Sequence, residues 1–576
     1  MKRTGYFMLN RFSRLAITTA LALTAASLPA TLSAEGNAGA YLAGRQAGID
    51  NDYSAAAQYF SRALIRDTQN PALIENAASA YLSMGDLDRA VPLATRLAEM
   101  EVESQIAGLI AYADLSRQGD WQAIIDSLDA GRSVGPLYDG LLRAWALVGL
   151  GRMGDALEQF SAVENARGTQ AFGLYHRALA LASVGDFEGA NAIFSGEEGT
   201  QLRLTPRGTV AHIQVLGQLQ QIDTAVERVA AAQRGRLDPF LSNLGDRLTA
   251  GEDVPFDVVT SATDGIAEMH FSIANALTGE ASDGFTLVYA RLATILRPDH
   301  VEGLLLTADL LERLERYGMA TEVYDQVARD HPYFYIAEMG RAEALKQADQ
   351  TEAAIEVLTQ LGETHSDLPL VHVALGDTLR RLERFEEAVP AYDRAIALID
   401  DPQPSHWSLY FSRGIVHERT ENWPPAEADF RKALELQPDQ PQVLNYLGYS
   451  FVEMQINLDE ALDMIERAVA GEPNSGYITD SLGWVLYRLG RFEEAVGHME
   501  RAVELLPIDP IINDHLGDVY WAVGRYREAE FQWHRALSFE PEEDDAERIR
   551  RKLEVGLDVV LDEEGAPPLQ VANDDG

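Results

Sequence analysis

The sequence predicts an all-α solenoid built from helix pairs. Three observations predict it: a 34-residue period through the C-terminal half, small and bulky residues at fixed places within each period, and no alternating apolar run there that would make a strand. Composition sets the bounds. The chain has 576 residues, 47 Lys plus Arg against 90 Asp plus Glu, a formal net charge of −43 and no cysteine. A disulfide framework, a thiolate metal site, a cysteine nucleophile and a lipid-modified cysteine are therefore excluded. So acidic a chain is also poorly matched to nucleic acid, whose phosphates are bound by clustered Lys and Arg. Its 46% of apolar residues is nevertheless enough to bury a large core.

Residues 1–34 read as a secretory signal peptide. Lys2, Arg3, Arg11 and Arg14 form a basic stretch, Leu15 to Leu28 is an apolar run of 14 residues, and Leu32-Ser33-Ala34 offers a small residue for cleavage before Glu35. A membrane anchor is the alternative, but the run falls short of the ~18 residues a spanning helix needs. Cleavage would leave 43 basic against 90 acidic residues, a net charge of −47. The expectation is an exported protein, periplasmic or secreted, with neither a membrane span nor a lipid anchor.

Residues 35–195 carry the period in a degenerate form. Gly44, Ala56, Phe60 and Ala63 fit one unit; Tyr81, Gly85 and Ala90 the next; Gly119-Asp120-Trp121 marks the turn of a third. Gly151, Ala156 and Phe160 fit a fourth, and Gly185, Ala190 and Phe194 a fifth. Over 196–300 the period degrades among turn-rich patches at 196–199, 235–239, 251–255 and 278–284. The helices there cannot be phased. This stretch reads either as a bend joining two solenoid arms or as an insertion with its own role.

Residues 301–541 show the period plainly, with units starting at Val301, Tyr335, Pro369, Trp407, Pro441, Gly476 and Pro510. The eighth position is small: Ala308, Ala342, Gly376, Gly414, Gly448, Gly483 and Gly517. The twentieth is alanine, from Ala320 and Ala354 through Ala529, and four residues later comes a bulky side chain such as Tyr392, Phe430, Met499 or Trp533. Small residues let the two helices of a unit approach closely, and the bulky residue fills the groove left beside them. Gly490 and Gly524 fall where the first helix must turn, at a position suited to positive φ. Prolines such as Pro438, Pro473 and Pro507 end the second helix. Seven units of this pattern resemble the tetratricopeptide repeat, which implies a helix-turn-helix solenoid wound as a right-handed superhelix. Beyond it, Ile549, Leu553, Leu557 and Leu561 recur every four residues, so 542–561 reads as one capping helix and 562–576 as a disordered acidic tail.

Several apparent active-site motifs fail in context. Gly149 to Gly154 spells G-x-G-x-x-G, but between two helices and with no strand before it. Gly131 to Gly135 spells G-x-S-x-G in an inter-repeat loop, without the strand that a nucleophile elbow requires. His417-Glu418 lacks the second histidine of a zinc-protease helix, and no calcium loop is present. The reading is a non-enzymatic chain with no cofactor and no metal.

What remains is a binding surface. The resemblance implies that the second, fifth, ninth and twelfth positions of each first helix line an inner groove. In the C-terminal units those positions give Phe411, Asn445, Tyr449, Tyr477, Asp480, Trp484, Tyr487, Asp514, Asp518 and Trp521. Aromatic rings beside carboxylates suit a basic or amphipathic peptide, although some of these rings can instead pack between helices. Asn445, Asp480 and Asp514 stand at fifth positions, where the chaperone-tail type of repeat uses Lys and Arg, so a terminal-carboxylate clamp is not expected. The stretches Asn445–Tyr449, Asp480–Arg491 and His515–Arg525 are similar to bacterial envelope tetratricopeptide proteins, among them lipoprotein adaptors that bind and activate a carboxyl-terminal processing protease. Those adaptors carry a lipid-modified cysteine, and this chain has none. The resemblance implies an exported scaffold that recruits a periplasmic processing protease and its substrates. The alternatives are a scaffold for cell-envelope or exopolysaccharide assembly and, in a different class, an enzyme with its site within 196–300.

Overall fold

The structure, a computed structural model, describes residues 36–196, 202–233, 238–566 and 568–569. The expected signal peptide and most of the expected tail lie outside the described residues. Among these residues there are 31 α-helices, one 3-10 turn at Pro404–His406 and no strand. They form two compact units that divide between Ala156 and Leu157. The division falls within a degenerate repeat rather than in the 196–300 stretch.

Unit 1 holds α1 (Gly36–Ile49), α2 (Tyr53–Leu64), α3 (Pro71–Ser83), α4 (Leu87–Glu99), α5 (Gln105–Gln118), α6 (Trp121–Asp129) and α7 (Pro136–Gly149). The division runs through α8 (Met153–Asn165). Unit 2 continues with α9 (Gln170–Ser183), α10 (Phe187–Ser195), α11 (Pro206–Gln218), α12 (Ile222–Gln233), α13 (Pro239–Thr249), α14 (Ala262–Leu277) and α15 (Asp283–Leu296). Next come α16 (Val301–Arg313), α17 (Tyr317–Tyr324), α18 (Phe334–Gln347), α19 (Thr351–Thr364), α20 (Pro369–Arg381) and α21 (Phe385–Ala397). The last repeats are α22 (Trp407–Arg419), α23 (Trp423–Leu436), α24 (Pro441–Met454), α25 (Leu458–Gly471), α26 (Gly476–Arg488), α27 (Phe492–Leu505), α28 (Pro510–Ala522) and α29 (Tyr526–Leu537). After them lie α30 (Glu543–Val555) and α31 (Leu557–Glu563).

The period is written into the local chemistry. In unit 1, Asp52, Asp86 and Asp120 stand 34 residues apart and cap α2, α4 and α6, each carboxylate accepting the backbone N–H three residues on at 3.0–3.1 Å. In unit 2, the turn inside each of the seven regular repeats has positive φ just after its first helix, at Glu315, Asp349, Glu383, Glu421, Gln455, Gly490 and Gly524, and the turn after Gln455 has a second at Asn457. The two glycines take the conformation expected of them. At the five other turns paired 6→1 and 5→2 backbone bonds hold a longer residue in a left-handed conformation that ordinarily costs about 1–2 kcal/mol.

The eighth position and the bulky residue sixteen later meet as the spacing predicts. A Cβ placed on Gly376 would lie 2.8 Å from the Tyr392 ring, on Gly414 2.6 Å from Phe430, on Gly483 2.7 Å from Met499, and on Gly517 2.4 Å from Trp533. All four bulky partners are fully buried. One continuous hydrophobic cluster accordingly runs from Tyr410 to Leu561.

One expectation is corrected. The C-terminal cap is two helices, because Gly556 breaks it with φ 87° and ψ 158°; there a side chain would strike the Trp521 ring at 2.6 Å. The 196–300 stretch holds a helix pair, α11–α12, with Ala225 fully buried at the twentieth position of a unit opened by Pro206, then a departure before a second pair, α14–α15. After α13 the chain runs without helix from 252 to 261, and α14 then packs across α9. A buried ionic hub holds it: Tyr175 Oη donates to Glu268 at 2.9 Å and Arg207 Nε at 2.6 Å. His300 Nδ1 accepts the Gly303 N–H at 3.0 Å, which leaves its Nε2–H to donate to Glu268 at 3.1 Å. Burial disfavours a charge on Glu268, but Arg207 and His300 outweigh it and keep the carboxyl ionised, far below its ordinary range.

Candidate functional site

The groove residues expected in the last repeats are largely consumed by the fold. Trp484 stacks on Tyr487 (centroids 4.7 Å apart, planes 11°) and on His515 (4.0 Å, 12°), and its Nε1–H donates to Glu453 at 3.1 Å. His515 Nδ1 lies 3.0 Å from Asp480. Burial works against a charge on that ring, yet Asp480 and its hydrogen bond raise the pKa above the ordinary value. Phe411 is buried edge-on against Tyr446, and Tyr449 lies close to Glu453, its hydroxyl held protonated by burial.

At the end of the array the chain supplies its own cation. Lys552 of α30 is fully buried and donates to Asp514 at 2.7 Å and to Asp518 at 2.6 Å; Arg548 adds a longer contact to Asp518. Burial raises both carboxyls. At Asp518 the two cations win and hold it below its ordinary value, while Asp514, beside that charge, sits above. Trp521 Nε1 donates to Asp558 of α31 at 3.0 Å. These side chains therefore seat the C-terminal cap and are not free to meet a ligand, the correction that burial imposes on the sequence reading. Asn445 is half-buried and its Oδ1 has no hydrogen-bond partner. Tyr477, 50% exposed beside Asp509, is the expected residue most open to solvent.

An open groove lies earlier in the array, between three successive first helices. A cavity of about 540 Å³ is floored by Leu305 of α16, Ile336 and Met339 of α18 and Ala374 of α20, with Tyr324 and Leu358 behind. Gly340 lets the Tyr324 ring lie against α18, where a Cβ would meet it at 2.4 Å, and the Tyr324 hydroxyl donates to Glu312 at 2.6 Å. Burial raises the Glu312 pKa. Around the rim stand Asp309, Glu343 and Asp377, one per repeat and 34 residues apart. Asp309 pairs with Arg313 at 3.0 Å, Glu343 with Lys346, and Asp377 accepts from Tyr392 at 2.6 Å. Burial opposes ionisation of Glu343, but its bonds from Lys346 and Gln347 lower the pKa. Ile336 and Leu370, both at second positions, are 38% and 39% exposed. The arrangement offers apolar surface within a charged rim, the chemistry of side-chain capture.

The position rule that selected the C-terminal residues would have found this groove. Applied to the units starting at Val301, Tyr335 and Pro369, its second, fifth and ninth positions give Ile336, Leu305, Met339, Asp309, Glu343 and Asp377. The weight placed on aromatic rings drew the reading to repeats where rings fill the interior instead.

Among the described residues no helix is long and apolar enough to cross a membrane, and no three His, Asp or Glu are placed to hold a metal ion. Family models of the tetratricopeptide repeat match residues 49–111, 373–441 and 447–510. The chain is similar to a TPR repeat-containing protein of Pseudomonas aeruginosa, 24% identical over 183 residues, and to human tetratricopeptide repeat protein 13, 29% identical over 158. Those matches cover 32% and 27% of this chain, and only 30% and 18% of the relatives' own lengths. Among solved structures, the APC/C hetero-tetramer Cut9–Hcn1 aligns over 91% of this chain and 98% of its own, at 14% identity and a TM-score of 0.36. The helix pairs and the 34-residue period agree with these family models: the chain contains tetratricopeptide repeats.

Proposed function

We propose that this protein is a non-enzymatic scaffold that binds protein segments in the groove between α16, α18 and α20. The observation that carries the reading is the cavity itself: apolar side chains of three consecutive first helices line it, with Ile336 exposed and Met339 half-buried, while most of the groove residues expected in the last repeats are engaged within the fold. Tetratricopeptide folds suggest protein–protein interaction, and the open apolar lining supports this surface as its seat. Its rim, carrying both Asp309 and Arg381, suits a ligand with apolar side chains and mixed charge. The chain's excess of acidic residues adds a preference for basic partners, with association rates that fall as salt rises.

The finer reading is an exported adaptor that holds a periplasmic processing protease and its substrates together, raising their effective concentration. It is supported by the basic and apolar N-terminal segment and by the resemblance carried by Asn445–Tyr449, Asp480–Arg491 and His515–Arg525. Affinity purification of the full chain from its own host, comparing wild type with Met339→Glu, tests both levels. Proteins retained by the wild type and lost by the variant support the groove, and a protease among them supports the adaptor. Identical recoveries would remove the groove; recovery of envelope-synthesis proteins instead of a protease would favour an assembly scaffold.

A further inference from the structure

The non-helical residues 252–261, which the period could not place, lie on the inner face of α11. In the repeat opened by Pro206, Arg207 and Gln214 hold the second and ninth positions, those that line a groove in this fold. Here they grip the chain itself. Gln214 makes a two-point contact with Asp257, its Nε2 donating to the carboxylate at 2.7 Å and its Oε1 accepting the backbone N–H at 3.2 Å. Gln218 Nε2 donates to the Val254 carbonyl at 2.7 Å. The Val258 carbonyl accepts from Arg207 at 3.2 Å and from Arg297 at 2.5 Å. Burial alternates over 254–258: Val254 is buried, Pro255 exposed, Phe256 half-buried against Phe187, Asp257 exposed and Val258 buried; Val259, also buried, ends the alternation. That alternation is the mark of an extended segment with every second side chain turned to one surface. Its backbone groups are satisfied by side chains rather than by a helix or a sheet, as a bound peptide's are.

We infer that the inner face of α11 is a second protein-binding site, held in the free chain by its own strap, and that it accepts from a partner an extended segment with apolar side chains at alternate positions flanking one carboxylate. The strap shows the ligand class directly, because Gln214 and Gln218 read main-chain and carboxylate groups that any such segment presents. Exchange would leave α14 in place, since Tyr175 and His300 hold Glu268 without touching the strap, and Arg207 reaches Glu268 through Nε rather than through the Nη2 that binds Val258. The site shares no residue with the α16–α18–α20 groove, so the two readings stand or fall apart.

The test uses a fluorescein-labelled peptide of residues 250–261 and anisotropy titration against the full chain. A Val254→Asp, Phe256→Asp variant, which loosens the strap, is expected to bind the peptide at least tenfold more tightly than wild type, and adding Gln214→Ala is expected to reverse the gain. Equal binding by wild type and the loosened variant, or indifference to Gln214→Ala, overturns the inference. Should the loosened variant lose its helical circular dichroism, hydrogen exchange on the wild type decides. Excess peptide is then expected to speed exchange of strap amides while α14 and α16 stay unchanged, and no change overturns the inference. A loosened variant that dimerises through its own straps assigns the face to a second copy and overturns the partner reading.

Discussion

Replacing Gly414 by alanine probes the repeat's internal packing through a change of sign. The added Cβ would stand 2.6 Å from Phe430 Cε1 and 2.8 Å from Cδ1, so the ring must retreat by about 0.8 Å to reach ordinary contact at about 3.4 Å. Phe430 is fully buried, tilted against Trp423 and Tyr446, and has no open side to retreat to. Overpacking of this kind costs about 1–3 kcal/mol. Against it stands a gain of about 1 kcal/mol for alanine over glycine inside α22. In the native background Gly414→Ala is therefore expected to destabilise by up to about 2 kcal/mol. In a Phe430→Ala background the clash is gone, and the same substitution is expected to stabilise by about 1 kcal/mol. Repeat arrays need not unfold in one step, so the assay is native-state hydrogen exchange of α22 and α23 amides, where 1 kcal/mol is roughly a fivefold change in rate. A Gly414→Ala effect of the same sign and size in both backgrounds would refute the packing argument.

Two further predictions follow from buried charge. Lys552→Ala leaves Asp514 and Asp518 buried together with only the more distant Arg548 opposite them, which is expected to cost about 3–5 kcal/mol and to raise exchange in α30 and α31 well before the preceding repeats; protection unchanged in both helices would contradict it. The second concerns pH: burial lowers the pKa of His176, His212 and His270 to about 4, so between there and about 6.5 the unfolded chain binds more protons than the folded one. Stability of unit 2 should then fall as pH drops through that window, by a few kcal/mol per ring. His515 acts in the opposite sense: its stabilising pair with Asp480 is fully present below about 6.5 and fades as pH rises through its higher folded pKa. His270→Phe should flatten the loss seen on acidification of unit 2, monitored by urea titration at pH 7 and pH 5; an unchanged pH response would refute it.

The fold was legible where one residue type satisfies one steric demand at a fixed interval. Small residues at the eighth position and bulky ones sixteen later could be paired from sequence because only that combination lets two helices close, and Gly414 with Phe430 or Gly517 with Trp533 meet as expected. Positive φ at Glu315 or Glu383 was not legible, since hydrogen bonding rather than residue type imposes it there. The binding surface was read poorly for a related reason. Trp484 and Asp518 occupy groove positions, but a position rule does not reveal that His515 and Glu453, each 31 residues from Trp484, and Lys552, 34 residues from Asp518, already satisfy them. The strap at 252–261 left no periodic trace at all, because its recognition rests on main-chain groups that every residue carries.

The central claim is that partners meet the face formed by α16, α18 and α20. The most direct measurement places a photo-crosslinking phenylalanine analogue singly at Ile336, Met339 or Phe531 of the full chain, irradiates cells of its own host, and resolves the adducts by mass spectrometry. Phe531 is the control, 64% exposed on α29 and away from the cavity. The account predicts adducts to the same protein from Ile336 and Met339 and none to it from Phe531. Adducts to one protein from Phe531 alone, or equally from all three positions, would contradict it.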